Sequence, residues 1–163
     1  MHLALGEAEV ALRTNNYPVG AVLVADGKLI GKEHNHKEVR LDRISHAETL
    51  LFIEHSSALK RMKNEEHAVI ELFTTFEPCL MCLGVAVIHN VDRIVVACND
   101  PRGDISQIEP RKIGDWYQKH WPTIEYGLLK EESHDILFNY FKKRGDAESK
   151  EVAELFERMR ATF

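Results

Sequence analysis

The sequence is poor in the features that mark secreted and membrane-spanning proteins. It contains only three cysteines in 163 residues, an odd number that argues against a disulfide framework and favours a reducing compartment. No apolar stretch approaches the roughly 20 residues needed to cross a bilayer, and the acidic residues near the start do not match a secretory signal peptide. We therefore expect a cytoplasmic protein that does not contact membranes.

An excess of positive charge is also missing. The chain has 21 Lys and Arg against 26 Asp and Glu, a formal net charge of −5. Proteins that bind nucleic acid rely on basic surface to contact phosphates, so this composition does not favour a large nucleic-acid partner. The hydrophobic fraction of 44% and charged fraction of 29% are close to the globular average and exclude wholesale disorder. The length suits one domain.

Helical and strand patterns alternate along the chain. Apolar periodicity predicts helices at 3–14, 46–62, 79–90, 131–143 and 148–159. Runs rich in strand-forming residues predict strands at 20–24, 29–31, 69–75, 93–97 and 123–129. Asp26-Gly27 between the first two strands is a strong hairpin signal. This order indicates an α/β fold built around one sheet.

The segment 34–45 shows no clear period and is predicted to be a loop. Ser45 precedes the second helical pattern, and Glu48 follows it three residues later. This is the spacing of a capping box, in which the two side chains bond to each other's backbone N–H groups. The sequence therefore predicts that Ser45 caps this helix.

Two motifs place metal-ligating residues at the starts of predicted helices. The first is His46-Ala47-Glu48, and the second is the segment 78–82, which contains Cys79 and Cys82. Cysteines three residues apart lie on one face of a helix, so both thiolates can bind one ion. A helix N-terminus also favours the thiolate over the thiol. We expect His46, Cys79 and Cys82 to bind a metal ion.

Three protein ligands are typical of a catalytic zinc site, because structural sites use four. The remaining position would hold water, whose pKa zinc lowers to about 7. Glu48 is close to the metal without being one of its ligands, so we expect it to carry protons as the catalytic residue. The alternative is a zinc-stabilised module without activity, for which His34, His36 or Cys98 would have to supply a fourth ligand.

The two motifs together resemble the cytidine deaminase superfamily, whose zinc-dependent nucleobase deaminases carry H-x-E and P-C-x-x-C. The surrounding residues are similar to one branch, the tRNA-specific adenosine deaminases and bacterial guanine deaminases. The similar segments are 18–22, 31–35 and 93–100. The resemblance implies a three-layer α/β/α sandwich with a central mixed five-stranded sheet and one zinc ion per chain. It places the catalytic domain at 1–145, with 146–163 as a helical extension of the same domain.

The same resemblance implies a set of substrate-binding residues. Asn35 matches an asparagine whose amide holds the base or sugar, although it could also be a turn residue. Three residues of the first strand would line the base pocket, namely Val19, Gly20 and Ala21. Asp100 matches a substrate-side aspartate and His89 a residue at the pocket rim. His89 could instead simply end its helix, and Asp100 could be a turn residue.

The implied reaction replaces an exocyclic amino group on a purine or pyrimidine base with oxygen and releases ammonia. We expect a free base or nucleoside as substrate, because segments 42–45 and 102–106 differ from the Asp-Pro-Thr-Ala and Lys-x-Gly-Ala-Ala-Gly-Ser-like sequences of the tRNA enzymes. The alternative is a tRNA-specific adenosine deaminase that converts wobble adenosine to inosine. The resemblance also implies a homodimer.

Overall fold

A computed structural model describes residues 1–161 of the chain, which form a five-stranded sheet with helices on both faces. The strands are β1 Gly20–Ala25, β2 Lys28–His34, β3 Ile70–Phe76, β4 Arg93–Cys98 and β5 Thr123–Tyr126. The helices are α1 His2–Arg13, α2 Lys37–Arg40, α3 Ala47–Arg61, α4 Leu80–Ile88, α5 Pro110–Ile113, α6 Asp115–His120, α7 Lys130–Arg144 and α8 Ala147–Arg160. None of these helices is both long and apolar enough to cross a membrane.

The strand order in the sheet is β2-β1-β3-β4-β5. Strand β1 runs antiparallel to β2 and β3, whereas β4 is parallel to both β3 and β5. The turn between β1 and β2 has positive φ angles at Asp26 (47°) and Gly27 (74°), as a two-residue type I′ hairpin requires. The predicted hairpin and mixed five-stranded sheet are confirmed.

Helices cover the sheet on both faces. Helices α1 and α7 pack against one face and against each other, while α3 and α4 form the other layer. The sheet supplies fully buried side chains to the core between these layers, for example Leu23, Leu72 and Ile94. These contacts confirm the predicted α/β/α sandwich.

The last helix belongs to the same packed unit as the sheet. Helix α7 ends before Gly145, which has a φ of 75°, and Asp146 caps α8 by accepting a hydrogen bond from the Ser149 N–H. Helix α8 packs on α7 and buries Phe156 in the core. The division into 1–145 and 146–163 stays a prediction, and residues 162–163 of that extension lie outside the described residues.

The predicted capping box is wrong. The N-cap of α3 is His46, and it makes no side-chain capping bond. The Ser45 hydroxyl instead donates to Asp42 Oδ2 at 2.6 Å, and the Glu48 carboxylate accepts a hydrogen bond from Thr74 of the sheet. The segment 34–45 is also not purely a loop, since it contains the short helix α2. A nearby partner of Ser45, Asp42, and a distant partner of Glu48, Thr74, together replace the capping interactions.

One edge of the sheet collects the predicted site residues. Parallel strands β3 and β4 end together, with Phe76 paired to Cys98, so the residues that follow them emerge side by side. Antiparallel β1 begins at this edge, and Asn35 follows the adjacent end of β2. Ligand sites in sheets with parallel strands lie outside their carboxyl ends. We therefore expect the functional site to lie at this edge of the sheet.

Candidate active site

The predicted metal ligands meet at this edge. His46 directly precedes α3, Cys79 is the N-cap of α4, and Cys82 lies in its first turn. The two sulfur atoms are 3.7 Å apart, and His46 Nδ1 is 3.7 Å from Cys79 Sγ and 3.5 Å from Cys82 Sγ. Across residues 1–161, no fourth His, Cys, Asp or Glu joins this group.

These separations fit a tetrahedral zinc ion. With Zn–S bonds of about 2.3 Å and Zn–N bonds of about 2.0 Å, tetrahedral ligand atoms lie about 3.8 Å (S to S) and about 3.5 Å (S to N) apart. The three side chains therefore fit zinc without rearrangement. Cys98 is not a further ligand here, because its thiol contacts the backbone oxygen of Asn99.

The electrostatics of the group favour a thiolate. Hydrogen bonding with Cys82 and, to a smaller extent, with His46 lowers the pKa of Cys79 to about 3, despite the opposing effect of burial. Reciprocally, the contact with Cys79 raises the pKa of His46. Because zinc binds the thiolate form, the arrangement prepares Cys79 as a ligand.

Glu48 lies beside this group and is only 3% exposed. Its Oε1 accepts a hydrogen bond from the Thr74 hydroxyl at 3.0 Å, and its Oε2 is 3.6 Å from Cys82 Sγ. Burial raises the pKa of Glu48, although the hydrogen bond from Thr74 opposes this effect. A carboxyl group with raised basicity, held next to a metal site, is suited to accept a proton and pass it on.

A cavity of about 110 Å³ opens onto the metal group and Glu48. Three of the predicted substrate-binding residues line it, namely Val19, Asn35 and Asp100. Sequence reasoning missed five further lining residues, which are Tyr17, Lys37, Phe76, Glu77 and Arg102. Within residues 1–161 the buried Tyr17 hydroxyl has no hydrogen-bond partner.

Two of the predicted substrate residues are fixed by local contacts. The side-chain oxygen of Asn35 accepts a hydrogen bond from the Lys37 N–H at 2.9 Å, which makes Asn35 a turn residue as well as a lining residue. The Asp100 carboxylate accepts two hydrogen bonds from the Arg102 guanidinium, at 2.9 and 2.7 Å. Asn35 and Asp100 therefore have fixed orientations.

The other three predicted substrate residues do not line the cavity. A Cβ atom on Gly20 would lie 2.1 Å from the carbonyl oxygen of Ala4, so this glycine allows α1 to pack closely on β1. Ala21 is fully buried in the core. The ring of His89 stacks on Phe52 and its Nε2 contacts the hydroxyl of Ser56. For these three residues, the observed contacts show a packing role.

Glu77 holds the loop that carries Asp100 and Arg102. One oxygen, Oε2, accepts the Asp100 N–H at 2.8 Å, while Oε1 accepts the Ile105 N–H and the Tyr126 hydroxyl, both at 3.0 Å. The side chain is 5% exposed. Glu77 lies between a predicted strand and the Pro78-Cys79 motif, and an acidic residue in that position was the signal that could have identified it. Glu77 thereby sets the position of one cavity wall.

We expect the Glu77→Gln variant to bind substrate more weakly and to be less stable. An amide supplies one accepting oxygen where the carboxylate has two, so a backbone N–H in the loop loses its partner, at a cost of about 1–3 kcal/mol in the free energy of unfolding. Chemical denaturation and steady-state kinetics would measure the two effects. Glu132→Gln, the same chemical change at an exposed glutamate away from the cavity, is the matched control. A Glu77→Gln variant with unchanged KM and stability would contradict this role.

Comparison with known proteins places the site in a family. A sequence profile described as the cytidine and deoxycytidylate deaminase zinc-binding region matches residues 1–98, more than half of the chain. The tRNA-specific adenosine deaminase of Bacillus subtilis strain 168 is 32% identical over 157 residues, covering 94% of this chain and 96% of the relative. The enzyme of the same name from Aquifex aeolicus strain VF5 is 32% identical over 145 residues, covering 88% and 92%.

Solved structures share the architecture. A structure from a study of A-to-I editing by tRNA:A34 deaminases at the wobble position aligns with a TM-score of 0.70 and 31% identity, covering 84% of this chain and 97% of that one. A guanine deaminase from Nitrosomonas europaea aligns with a TM-score of 0.69 and 21% identity, covering 85% and 81%. At that lower identity, the second likeness concerns the fold alone.

Proposed function

The chain belongs to the cytidine and deoxycytidylate deaminase family of zinc-dependent hydrolases, and we propose that its cavity deaminates a nucleobase presented as a free base or nucleoside. The reaction replaces an exocyclic amino group with oxygen and releases ammonia. In this proposal His46, Cys79 and Cys82 are the zinc ligands, and Glu48 is the catalytic residue.

The roles of the side chains follow from their positions. When bound, zinc lowers the pKa of a water molecule to about 7 and so supplies a nucleophile at neutral pH. The Glu48 carboxylate would accept the two protons of that water one after the other, giving the first to a ring nitrogen and the second to the departing amine. Thr74 holds Oε1 of Glu48 in place, and Oε2, which would transfer the protons, faces the metal ligands at 3.6 Å from Cys82 Sγ.

The cavity walls would hold the base. Val19 supplies an apolar surface, while the amide of Asn35 and the carboxylate of Asp100 can hydrogen-bond to ring and exocyclic groups. The Tyr17 hydroxyl is a further buried polar group without a partner among residues 1–161. Buried polar groups are normally paired, which supports hydrogen bonding between Tyr17 and the substrate.

The pairing of Arg102 with Asp100 is the observation that favours a small substrate. Arg102 is the guanidinium that lines the cavity, and Asp100 already pairs with it through two hydrogen bonds. Its charge is therefore compensated within the protein and is less available to a phosphate. The net charge of −5 also lowers the affinity for a polyanion.

A second candidate function is deamination of an adenosine in tRNA. The two relatives described above carry that name and match along nearly their whole length. Next to the cavity, the segment 37–44 also presents exposed Arg40 and Arg43 together with Leu41, which is 91% exposed. Basic and apolar side chains beside a cavity for one base would suit an RNA that inserts a single flipped-out base.

An ammonia-release screen distinguishes the two candidates. The zinc-loaded chain would be assayed with guanine, adenine, cytosine, their nucleosides and an anticodon stem-loop. We expect release from a free base or nucleoside, at a rate that changes little with salt because the substrate is neutral. Release from the stem-loop alone, falling steeply as salt rises, would overturn our preference. Arg40→Gln combined with Arg43→Gln is the control, since it would weaken only the stem-loop reaction.

We also propose that the chain forms a homodimer through α3 and α4. These neighbouring helices each present a large apolar side chain to solvent, Ile53 and Ile88, both 66% exposed. Leu80, beside the metal ligand Cys79, is 70% exposed. Sedimentation equilibrium should find a dimer that Ile53→Lys with Ile88→Lys converts to a monomer. Val69→Lys, at another exposed apolar position, should leave the dimer intact; a monomeric parent chain would contradict the proposal.

A cytoplasmic location fits the chemistry of the site. The Cys79 and Cys82 thiols are free and their sulfur atoms lie 3.7 Å apart, so an oxidising compartment could convert them to a disulfide whenever zinc is absent. Cell fractionation would test this inference, and recovery of the chain outside the cytoplasm would contradict it.

A further inference from the structure

A second cluster of metal-binding side chains lies outside the site described above. Glu33, His34 and His36 each offer one ligand atom, and these atoms all lie within 4.8 Å of one another. None of the three residues belongs to the group formed by His46, Cys79 and Cys82. All three side chains are partly buried, so they have defined positions and can still be reached from solvent.

The two histidines face one carboxylate oxygen. His34 ends β2, and His36 follows two residues later as the N-cap of α2. Their rings stack with centroids 4.2 Å apart. His34 Nδ1 lies 3.2 Å and His36 Nε2 lies 3.0 Å from Glu33 Oε1.

These separations match those between the ligands of one metal ion. With bonds of about 2.0–2.2 Å to nitrogen and oxygen, neighbouring ligand atoms of a zinc ion lie about 3–3.5 Å apart. A further carboxylate approaches from α1, since Glu7 Oε2 lies 3.1 Å from His34 Nδ1. The Glu7 side chain is held there by Lys32, which contacts its other oxygen at 2.8 Å.

We propose that Glu33, His34 and His36 form a second binding site for a divalent transition-metal ion of the zinc type. Two imidazoles and a carboxylate suit zinc, cobalt, nickel or copper better than magnesium or calcium, which prefer all-oxygen ligands. The site contains no thiolate, so it should bind zinc more weakly than the group that contains Cys79 and Cys82. It does not depend on the proposed deamination.

Cobalt distinguishes the two sites spectroscopically. The tag-free chain, stripped of metal with a chelator, would be titrated with Co²⁺ while bound metal is counted. We expect two equivalents, of which the first produces thiolate-to-cobalt charge-transfer bands and the second does not. In His34→Ala combined with His36→Ala, the second equivalent should disappear while the thiolate bands remain. His36→Gln alone should weaken the second equivalent at least about tenfold.

Control variants distinguish loss of the second metal site from unfolding and from nonspecific binding of cobalt by other histidines. His120→Ala removes a half-buried histidine whose ring contacts only its own helix among the hydrogen bonds of the described residues, and this variant should still bind two equivalents. Circular dichroism would establish that each variant is folded. If the double variant does not fold, the single variant His36→Gln provides the test instead. A parent chain that binds one equivalent, or a folded double variant that still binds two, would overturn the second site. Neither result would affect the site formed by His46, Cys79 and Cys82 (the thiolate site) or the deaminase activity. Failure of the second metal site can therefore be distinguished from failure of the proposed function.

Discussion

The Glu48→Gln variant is expected to lose about 10²–10⁴-fold in kcat, the range that a positioned general acid–base contributes. The amide has nearly the shape of the carboxylate and can still accept the hydrogen bond from Thr74. It cannot, however, take up and release a proton. The zinc ligands are untouched, so metal bound at the thiolate site and the fold should be retained. Steady-state kinetics, metal analysis and circular dichroism would measure the three quantities.

Glu54→Gln provides the matched control, because Glu54 lies on the same helix but is exposed to solvent. It makes the same chemical change without touching the cavity, and kcat should stay within about twofold of the parent, as expected for a surface substitution with little energetic effect. If Glu48→Gln retained the parent kcat, proton transfer through Glu48 would be refuted. If it lost activity together with its metal, the carboxylate would have to be assigned a part in holding the metal.

The elements that could be predicted from sequence are those defined by local signals. The hairpin depends on Asp26 and Gly27, whose positive φ angles are a property of the turn itself. The alternation of strands and helices follows from apolar periodicity over short windows. The grouping of Cys79 with Cys82 follows from their spacing on one helix. Each of these features needs no knowledge of where distant residues lie.

The parts that could not be predicted depend on contacts between distant residues. Glu77 acts through Tyr126, 49 residues away, and only the sheet brings the two side chains together. The Glu48 half of the capping box failed for the same reason, since Thr74 of β3 binds its carboxylate, whereas Ser45 is bound by its close neighbour Asp42. Gly20 and Ala21 follow a lining residue, Val19, but contact the core instead. Neighbours in sequence need not face the same cavity.

The second large effect is expected from Cys82→Ala, which removes a fully buried ligand and should abolish zinc binding at the thiolate site. Without the ion, the pKa of a water molecule in the cavity rises from about 7 to the much higher value of bulk water, so activity should fall to background. At free zinc a thousand times above its Kd, loss of binding also lowers the free energy of unfolding by about 4 kcal/mol. Metal analysis, ammonia release and thermal unfolding would follow these changes.

Cys98→Ala separates loss of a ligand from loss of a buried thiol. Cys98 is as buried as Cys82, but its sulfur contacts only a backbone oxygen among the hydrogen bonds of the described residues. Metal at the thiolate site and activity should therefore persist in Cys98→Ala, and treatment with a chelator should reproduce the Cys82→Ala phenotype in the parent chain. Zinc returned after chelation should restore activity to the parent but not to Cys82→Ala. A Cys82→Ala chain that still deaminates at the parent rate would show that the chemistry does not use this ion.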